Sequence, residues 1–325
     1  MRLDVSEISP QIEDRQGFWT GYQPGMRSSD AEPGSPGFFA EVERRRYQLE
    51  PATPEMAQFG RWRDRDVLEA GCGIGTDGLQ FARAGARYTG MDFSSTALDL
   101  AERRFAMEGV PGRFVHGSIT EMPFDDASFD LAYSMGVMHH LPETPCVAEE
   151  MHRVLRPGGQ AIVMVYHRGS FNYHFSIMLL RRALTSLLLV PRMDRAISAV
   201  TGEPIEVLRG HRELLRDHGL RYVTDRQFFL SHNTDGPGNP LSKVYTRATG
   251  AELFDRFAHV ETQVRFLNLR AYPFGERLET TPVAQALGRR WGWHLWIRAT
   301  KDAEARTGSR RRRFTRSGPP VGARG

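Results

Sequence analysis

The segment Glu69-Ala70-Gly71-Cys72-Gly73-Ile74-Gly75-Thr76 constrains this chain more than any other feature. It follows a short apolar run, Asp66–Ala70, and opens a stretch of helical spacing over 76–84. Glycines so placed let the chain turn tightly from strand to helix and let a ligand approach the backbone. The spacing Gly-x-Gly-x-Gly is not the Gly-x-Gly-x-x-Gly of nicotinamide binders, and no Lys follows as in a Walker loop. Glu69 stands at the mouth of the turn, where a carboxylate would repel a pyrophosphate and attract an ammonium or sulfonium. Asp92 ends a second apolar run over 88–92, 21 residues after Gly71. An acid there accepts hydrogen bonds from ribose hydroxyls.

The implied ligand is a nucleoside carrying positive charge, and S-adenosylmethionine fits. The surrounding pattern agrees with a nucleoside-binding sheet. Strand-like runs at 113–116, 129–134 and 160–166 alternate with helical spacing at 95–108 (Ala97, Leu98, Ala101, Phe105, Met107) and 144–155. Such alternation means βαβ units on a parallel sheet, wound right-handed on both faces. The pattern breaks at Arg168. Residues 170–248 read as helical or irregular, and the alternation resumes at Thr249, where Thr249 and Glu252 read as a capping box for a helix over 250–257. Two strand-like runs follow, 260–266 and His294–Thr300.

The expectation is therefore an α/β fold: a Rossmann-like, doubly wound, mostly parallel sheet of seven strands. An N-terminal helical arm and a helical or irregular insertion after the fifth strand complete it. The arm is 1–60, the core 61–169, the insertion 170–248, the return to the sheet 249–300, and an Arg-rich tail 301–325, expected to be disordered. Within the arm, 24–37 is a Pro-, Gly- and Ser-rich loop, and Phe38, Phe39, Val42, Tyr47 and Leu49 fall at loosely helical spacing. The arm either packs on the domain or closes over a ligand.

Charge and cysteine content narrow the function. The 325 residues carry a formal charge of +4 and only two cysteines, Cys72 and Cys146. That excludes a disulfide scaffold and a Cys-based zinc site. Residues 301–325 hold eight Arg or Lys and two Asp or Glu, which leaves −2 for the first 300 residues. The basic character belongs to the tail rather than to a nucleic-acid-binding face. With no signal peptide and no apolar run of spanning length, the chain is expected to be soluble and cytoplasmic.

Taken together, VLEAGCGIGTDG, YTGMDFSSTALDLA, MPFDDASFDLAYSMGVMHHL and VLRPGGQAIVMVY make residues 60–168 resemble the class I S-adenosylmethionine-dependent methyltransferases. The group they resemble includes quinone- and sterol-type methylases. The resemblance implies the fold above and S-adenosyl-L-methionine as cofactor. It implies that Glu69 and the backbone at Gly71, Cys72, Gly73 and Gly75 hold the methionine part. It places Asp92 on the ribose, Phe93 beside the adenine, and Ser134 and Met135 towards the sulfonium and methyl. The family's usual Asp after the third strand is replaced within His116-Gly117-Ser118-Ile119 by Ser118, which accepts a hydrogen bond without charge.

Methyl transfer needs proximity, alignment and a dry site, and needs a base only where the acceptor must lose a proton. Candidate bases lie at the carboxyl ends of the fourth and fifth strands: His139, His140 and Tyr166. The His pair has no further acid or imidazole at ligand spacing, so no metal is expected. His232 and Asp235 sit in a turn-rich stretch, 232–240, that either is structural or closes an acceptor pocket. Phe171, Tyr173, Phe175, Ile177, Met178, Leu179 and Leu180 form a stripe that lines such a pocket or joins the core. The function expected is methylation of a small molecule, oxygen favoured, in bacterial specialised or cell-envelope metabolism. The alternatives are carbon or nitrogen methylation of a small molecule or peptide, methylation of nucleic acid helped by the tail, and cofactor binding without transfer. No Asn/Asp-Pro-Pro-Tyr base-methylating motif follows the fourth strand, where Ser134-Met135-Gly136-Val137 stands.

Overall fold

A computed structural model of the chain describes residues 17–19, 29–269, 272 and 274–303. Helix α1 (Pro36–Leu49) starts on a Ser35 cap whose hydroxyl accepts from Phe38 N, with Pro36 in the first turn. A short α2 (Thr53–Ala57) follows. The core then alternates as the apolar periodicity dictates: β1 (Asp66–Ala70), α3 (Thr76–Arg83), β2 (Arg87–Asp92), α4 (Ser95–Glu108) and β3 (Arg113–His116). Next come β4 (Phe129–Met135), α5 (Thr144–Val154) and β5 (Leu155–Tyr166). Helix α4 begins at a Ser94 cap and stops at Gly109 in the left-handed region.

The sheet has seven strands in the order β3-β2-β1-β4-β5-β7-β6. β1 to β5 are parallel, and β1 pairs with both β2 and β4, so strand order reverses there. Ligands of open α/β sheets bind at that crevice, above the strands' carboxyl ends. The inner strands are buried on both faces: Val67, Leu68, Leu131, Ala132, Val163 and Val165 have no exposed surface. The edge is finished by β6 (His259–Arg265) and β7 (His294–Thr300), with β7 antiparallel to both β5 and β6.

Between β5 and β6 the chain leaves the sheet. A ten-residue π-helix (Asn172–Arg181) leads into α6 (Arg182–Ser186), α7 (Met193–Thr201), α8 (Ile205–His218), α9 (Leu220–Thr224) and α10 (Arg226–His232). The excursion ends where it began. Tyr245 N donates to Tyr166 O at 2.8 Å, Arg168 N to Tyr245 O at 2.8 Å, and Lys243 N to His139 O at 2.9 Å. It is an insertion pinned to the carboxyl ends of β4 and β5.

Sequence and structure differ in places. The capping box belongs to α11 (Arg247–Glu252): Thr246 is the cap and Thr249 its reciprocal partner, not Thr249 with Glu252. The 250–257 expectation failed because a Thr can return the bond as well as a Glu, three residues earlier in the chain. Between β6 and β7 the chain forms α12 (Gly275–Glu279) and α13 (Pro282–Trp291), which sequence reading left unassigned. Of the 301–325 tail, Lys301–Ala303 are described: Lys301 N donates to Gly159 O and Gly158 N to Lys301 O. Residues 304–325, and most of the arm before Ser29, lie outside the described residues. No helix among the described residues is long and apolar enough to cross a membrane.

Candidate active site

The glycine loop is built by backbone bonds that join two strands. Gly71 N and Cys72 N both donate to Met91 O, at 2.8 and 3.0 Å. Gly71, Gly73 and Gly75 take φ of 82°, 51° and 70°, a region that disfavours side chains. Gly71 also lets Val137 approach, since a Cβ there would lie 2.5 Å from Val137 Cγ2. Gly73 is different: a Cβ there would meet nothing within 4 Å. The loop therefore presents bare backbone to open space, the cradle a nucleoside cofactor requires.

Asp92 supports that cradle. Its Oδ2 accepts from Gly73 N at 2.8 Å and its Oδ1 from Ser94 N at 2.9 Å. Burial raises its pKa, and the backbone N–H groups of Ser94 and Gly73 work against that rise. Phe93 is half-buried beside it. Gly117 N donates to Asp92 O, which ties the end of β3 to the same place. There Ile119 is buried, while Ser118 is exposed and its hydroxyl bonds Thr120 Oγ1 at 2.7 Å. Ser134 is fully buried and donates to Ala70 O at 2.8 Å, so its hydroxyl joins β4 to β1 under the loop. Cys72 is buried in the loop, and burial pushes its thiol pKa up.

Glu69 is 4% exposed and accepts from Tyr88 Oη at 2.6 Å. Burial, then the nearby Asp77 charge, raises its pKa well above the usual carboxylate range. Asp77, in the first turn of α3, collects three donors: Tyr133 Oη at 2.8 Å, Tyr47 Oη at 2.9 Å and Arg46 Nη2 at 2.9 Å. Sequence reading gives none of Asp77, Tyr133, Tyr47 and Arg46 a place in the site, and names only Tyr47, as a helical position of the arm. They come from α1, α3 and β4, and no local spacing links them. The only available signal was the helical pattern that placed Tyr47 in an arm next to the loop. Phe38, Phe39 and Val42 of α1 pack on Ile74 of the loop, so the arm lies directly over the cradle.

A second cluster stands at the carboxyl ends of β4 and β5. His139 and His140 follow β4 in a 3-10 turn, and Tyr166 ends β5. The His139 ring lies 3.8 Å from that of Tyr166 and 4.2 Å from that of His140. Trp293 stacks on Tyr166 at 4.2 Å, and Trp19 lies 4.6 Å from His140. The insertion supplies Asp235, both of whose oxygens lie 3.2 Å from Tyr166 Oη, with Oδ2 also 3.5 Å from His140 Nε2. His140 Nδ1 lies 2.8 Å from Leu241 O; a carbonyl only accepts, so that nitrogen carries its hydrogen. His139 is wholly buried, and among the described residues neither ring nitrogen has a hydrogen-bond partner. Burial, then His140 and His294, drives its pKa well below the ordinary histidine value. Burial also lowers that of His140, against the pull of Asp235.

The structure thus brings His139, His140, Tyr166 and Asp235 together. His232 ends α10, with Nδ1 2.7 Å from Pro237 O and its ring packed on Phe228 and Tyr222. The insertion's stripe divides. Tyr173 and Ile177 enter the core, while Phe175 and Leu179 are exposed. Phe171 and Phe175 stack near Tyr272, whose hydroxyl bonds Ser176 at 2.7 Å.

Several known proteins are similar to this chain in sequence. Residues 67–159 match the model of a methyltransferase domain. A fatty-acid O-methyltransferase of Mycolicibacterium smegmatis is 31% identical over 188 residues, 57% of this chain and 62% of that protein. A sterol 4-C-methyltransferase of Caenorhabditis elegans is 37% identical over 98 residues, 30% of this chain and 29% of the relative. A phthiotriol/phenolphthiotriol dimycocerosates methyltransferase of Mycobacterium leprae is 37% identical over 95 residues, 29% of this chain and 34% of that one. The chain thus spans between 29% and 62% of the length of these curated relatives. Among solved structures, a SAM-dependent methyltransferase of Methanosarcina mazei aligns at TM-score 0.48 with 20% identity, over 74% of this chain and 94% of that one.

Proposed function

We propose that this chain, a class I S-adenosylmethionine-dependent methyltransferase by its domain over residues 67–159, moves a methyl group onto an oxygen of an apolar small molecule. The observation that carries the reading is His139: a buried imidazole at the carboxyl end of β4 whose two nitrogens have no partner among the described residues. The cofactor, when bound, supplies a methyl group on a sulfonium, ready for in-line displacement. The chain supplies the rest. The glycine loop and Asp92 hold the nucleoside. The aromatic walls of Tyr166, Trp293 and Trp19 exclude water.

The cluster is rich in acceptors. His139 is neutral at physiological pH because burial opposes its charge. Tyr166 gives its hydrogen to Asp235, which fixes the ring beside His139. One ring nitrogen of neutral His139 carries the hydrogen and the other accepts, so a hydroxyl can donate to it. As the new oxygen–carbon bond forms and the sulfur–carbon bond breaks, the hydroxyl proton passes to a ring nitrogen of His139. An apolar molecule suits the walls, and the similar proteins include enzymes named for sterol and fatty-acid methylation. Nucleic acid is disfavoured by the same enclosed walls. Trp19 packs on His140, and Asp235 reaches both His140 and Tyr166, so these two bound the cluster that holds His139.

The test begins with calorimetry of S-adenosylmethionine binding; an absence of saturable binding would sink the reading. A screen of hydroxylated lipids and polyketide-like phenols, read by release of S-adenosylhomocysteine, then identifies the acceptor. With it in hand, His139→Ala should lower kcat by about 100- to 1,000-fold while cofactor affinity is kept. Full retained turnover removes the base role.

A further inference from the structure

Helix α1 brings to the glycine loop a cation that no sequence motif announces. Arg46 lies in its last turn. Nη2 is 2.9 Å from Asp77 Oδ2, and Nη1 is 3.1 Å from Glu50 Oε2. The guanidinium also lies against Met135 Sδ, at the carboxyl end of β4. It therefore sits between the first turn of α3 and the strand end that flanks the cradle. Its Nε is buried without a partner, yet the side chain as a whole remains 26% exposed. One donor is unused and the group is not walled in.

The partners of Arg46 tolerate its loss. Asp77 keeps the hydroxyl hydrogens of Tyr47 and Tyr133 when the guanidinium turns away. Arg104, the fully buried cation near the loop, also leaves its Nε without a partner among the described residues, but both its terminal nitrogens are engaged away from the cradle. Its Nη1 donates to Thr76 Oγ1 at 2.8 Å and its Nη2 to Glu43 Oε2 at 2.8 Å. The methionine end of the cofactor carries an ammonium and a carboxylate. Asp77 suits the ammonium, and a carboxylate beside that acid needs a cation. A guanidinium fork matches a carboxylate with two parallel N–H bonds.

We propose that Arg46 grips the carboxylate of the cofactor's methionine part in place of its bond to Asp77. Docking of α1 is thereby coupled to cofactor binding. The proposal rests on the cofactor reading of the glycine loop, and its test keeps the two apart. Affinities of the full chain are measured by calorimetry for S-adenosylhomocysteine and for 5′-methylthioadenosine. The second ligand has the same nucleoside and thioether sulfur but no amino-acid end. Arg46→Ala should weaken S-adenosylhomocysteine by about 10- to 100-fold and leave 5′-methylthioadenosine within about twofold. Arg46→Lys, which keeps the charge without the fork, should fall between. Unchanged S-adenosylhomocysteine affinity in Arg46→Ala overturns the proposal, and so does an equal loss for both ligands, which would mark a purely structural arginine. Failure of the unaltered chain to bind either ligand overturns the cofactor reading and this proposal with it.

Discussion

At the scale of single residues, this protein buries histidines that it keeps neutral. His211 of α8 is 4% exposed, with Nδ1 2.6 Å from Tyr222 Oη. Burial, then the charges of Arg181 and His232, pushes its pKa down to about 3. The unfolded chain takes up a proton on this residue below about pH 6.5, and the folded chain does not until far lower. Its contribution to stability is therefore complete above about pH 6.5 and lost as pH falls towards 3. In urea titrations, the stability of the unaltered chain relative to His211→Gln should fall by about 1.4 kcal/mol per pH unit between pH 6 and 5. A constant difference would mean that His211 is charged in the fold. What sequence makes legible at this scale is local. Glu69, the glycines and Asp92 stand in one strand-turn-helix and the next strand end, so spacing alone puts them on one rim. Arg46, Asp77 and Tyr133 are 31 and 56 residues apart and meet only through tertiary packing, which leaves no local period to read.

At the scale of elements, α1 is held by a small core and a charged seam. Phe38, fully buried, packs with Phe39, Val42 and Ile74. Glu43 joins Arg83 at 2.7 Å and Arg104 at 2.8 Å. A satellite core of this size opens independently of the sheet. Phe38→Ala should therefore speed amide exchange across 36–49, lowering local protection by about 3 kcal/mol, with little change in the global unfolding midpoint. A drop in the global midpoint of equal size would show that α1 and the sheet unfold together. The helix itself was readable from its apolar spacing. Its place over the loop was not, because nothing in residues 36–49 names Ile74 as their partner. The insertion was legible in the same partial way: the loss of strand periodicity after Arg168 marked it. The pairing of His167 with Tyr245, which returns it to β5, spans a separation no local pattern encodes.

For the whole molecule, charge and fold separate. Residues 304–325 carry seven arginines and one glutamate, so a chain ending at Ala303 changes from +4 to −2. Lys301 and Asp302 tie down the end of β7: the Lys301 ammonium donates to His152 O at 2.7 Å and Leu155 O at 2.6 Å, and Gly158 N donates to Asp302 O at 3.2 Å. The shortened chain should bind S-adenosylhomocysteine within about twofold of the full one and move from a cation to an anion exchanger at neutral pH. Loss of binding would instead make the arginines part of the site.

The direction of β7 has a practical consequence. It runs against its neighbours, from His294 beside Tyr166 to Thr300 beside Gln160. The backbone therefore leaves the sheet at the pole opposite the glycine loop and the histidines. A chain cut after Ala303 and anchored there to a sensor surface presents that rim to the solution. Helix α1 over the rim then faces the solution too, and ligand arrival and the docking of α1 become measurable on the same immobilised molecules.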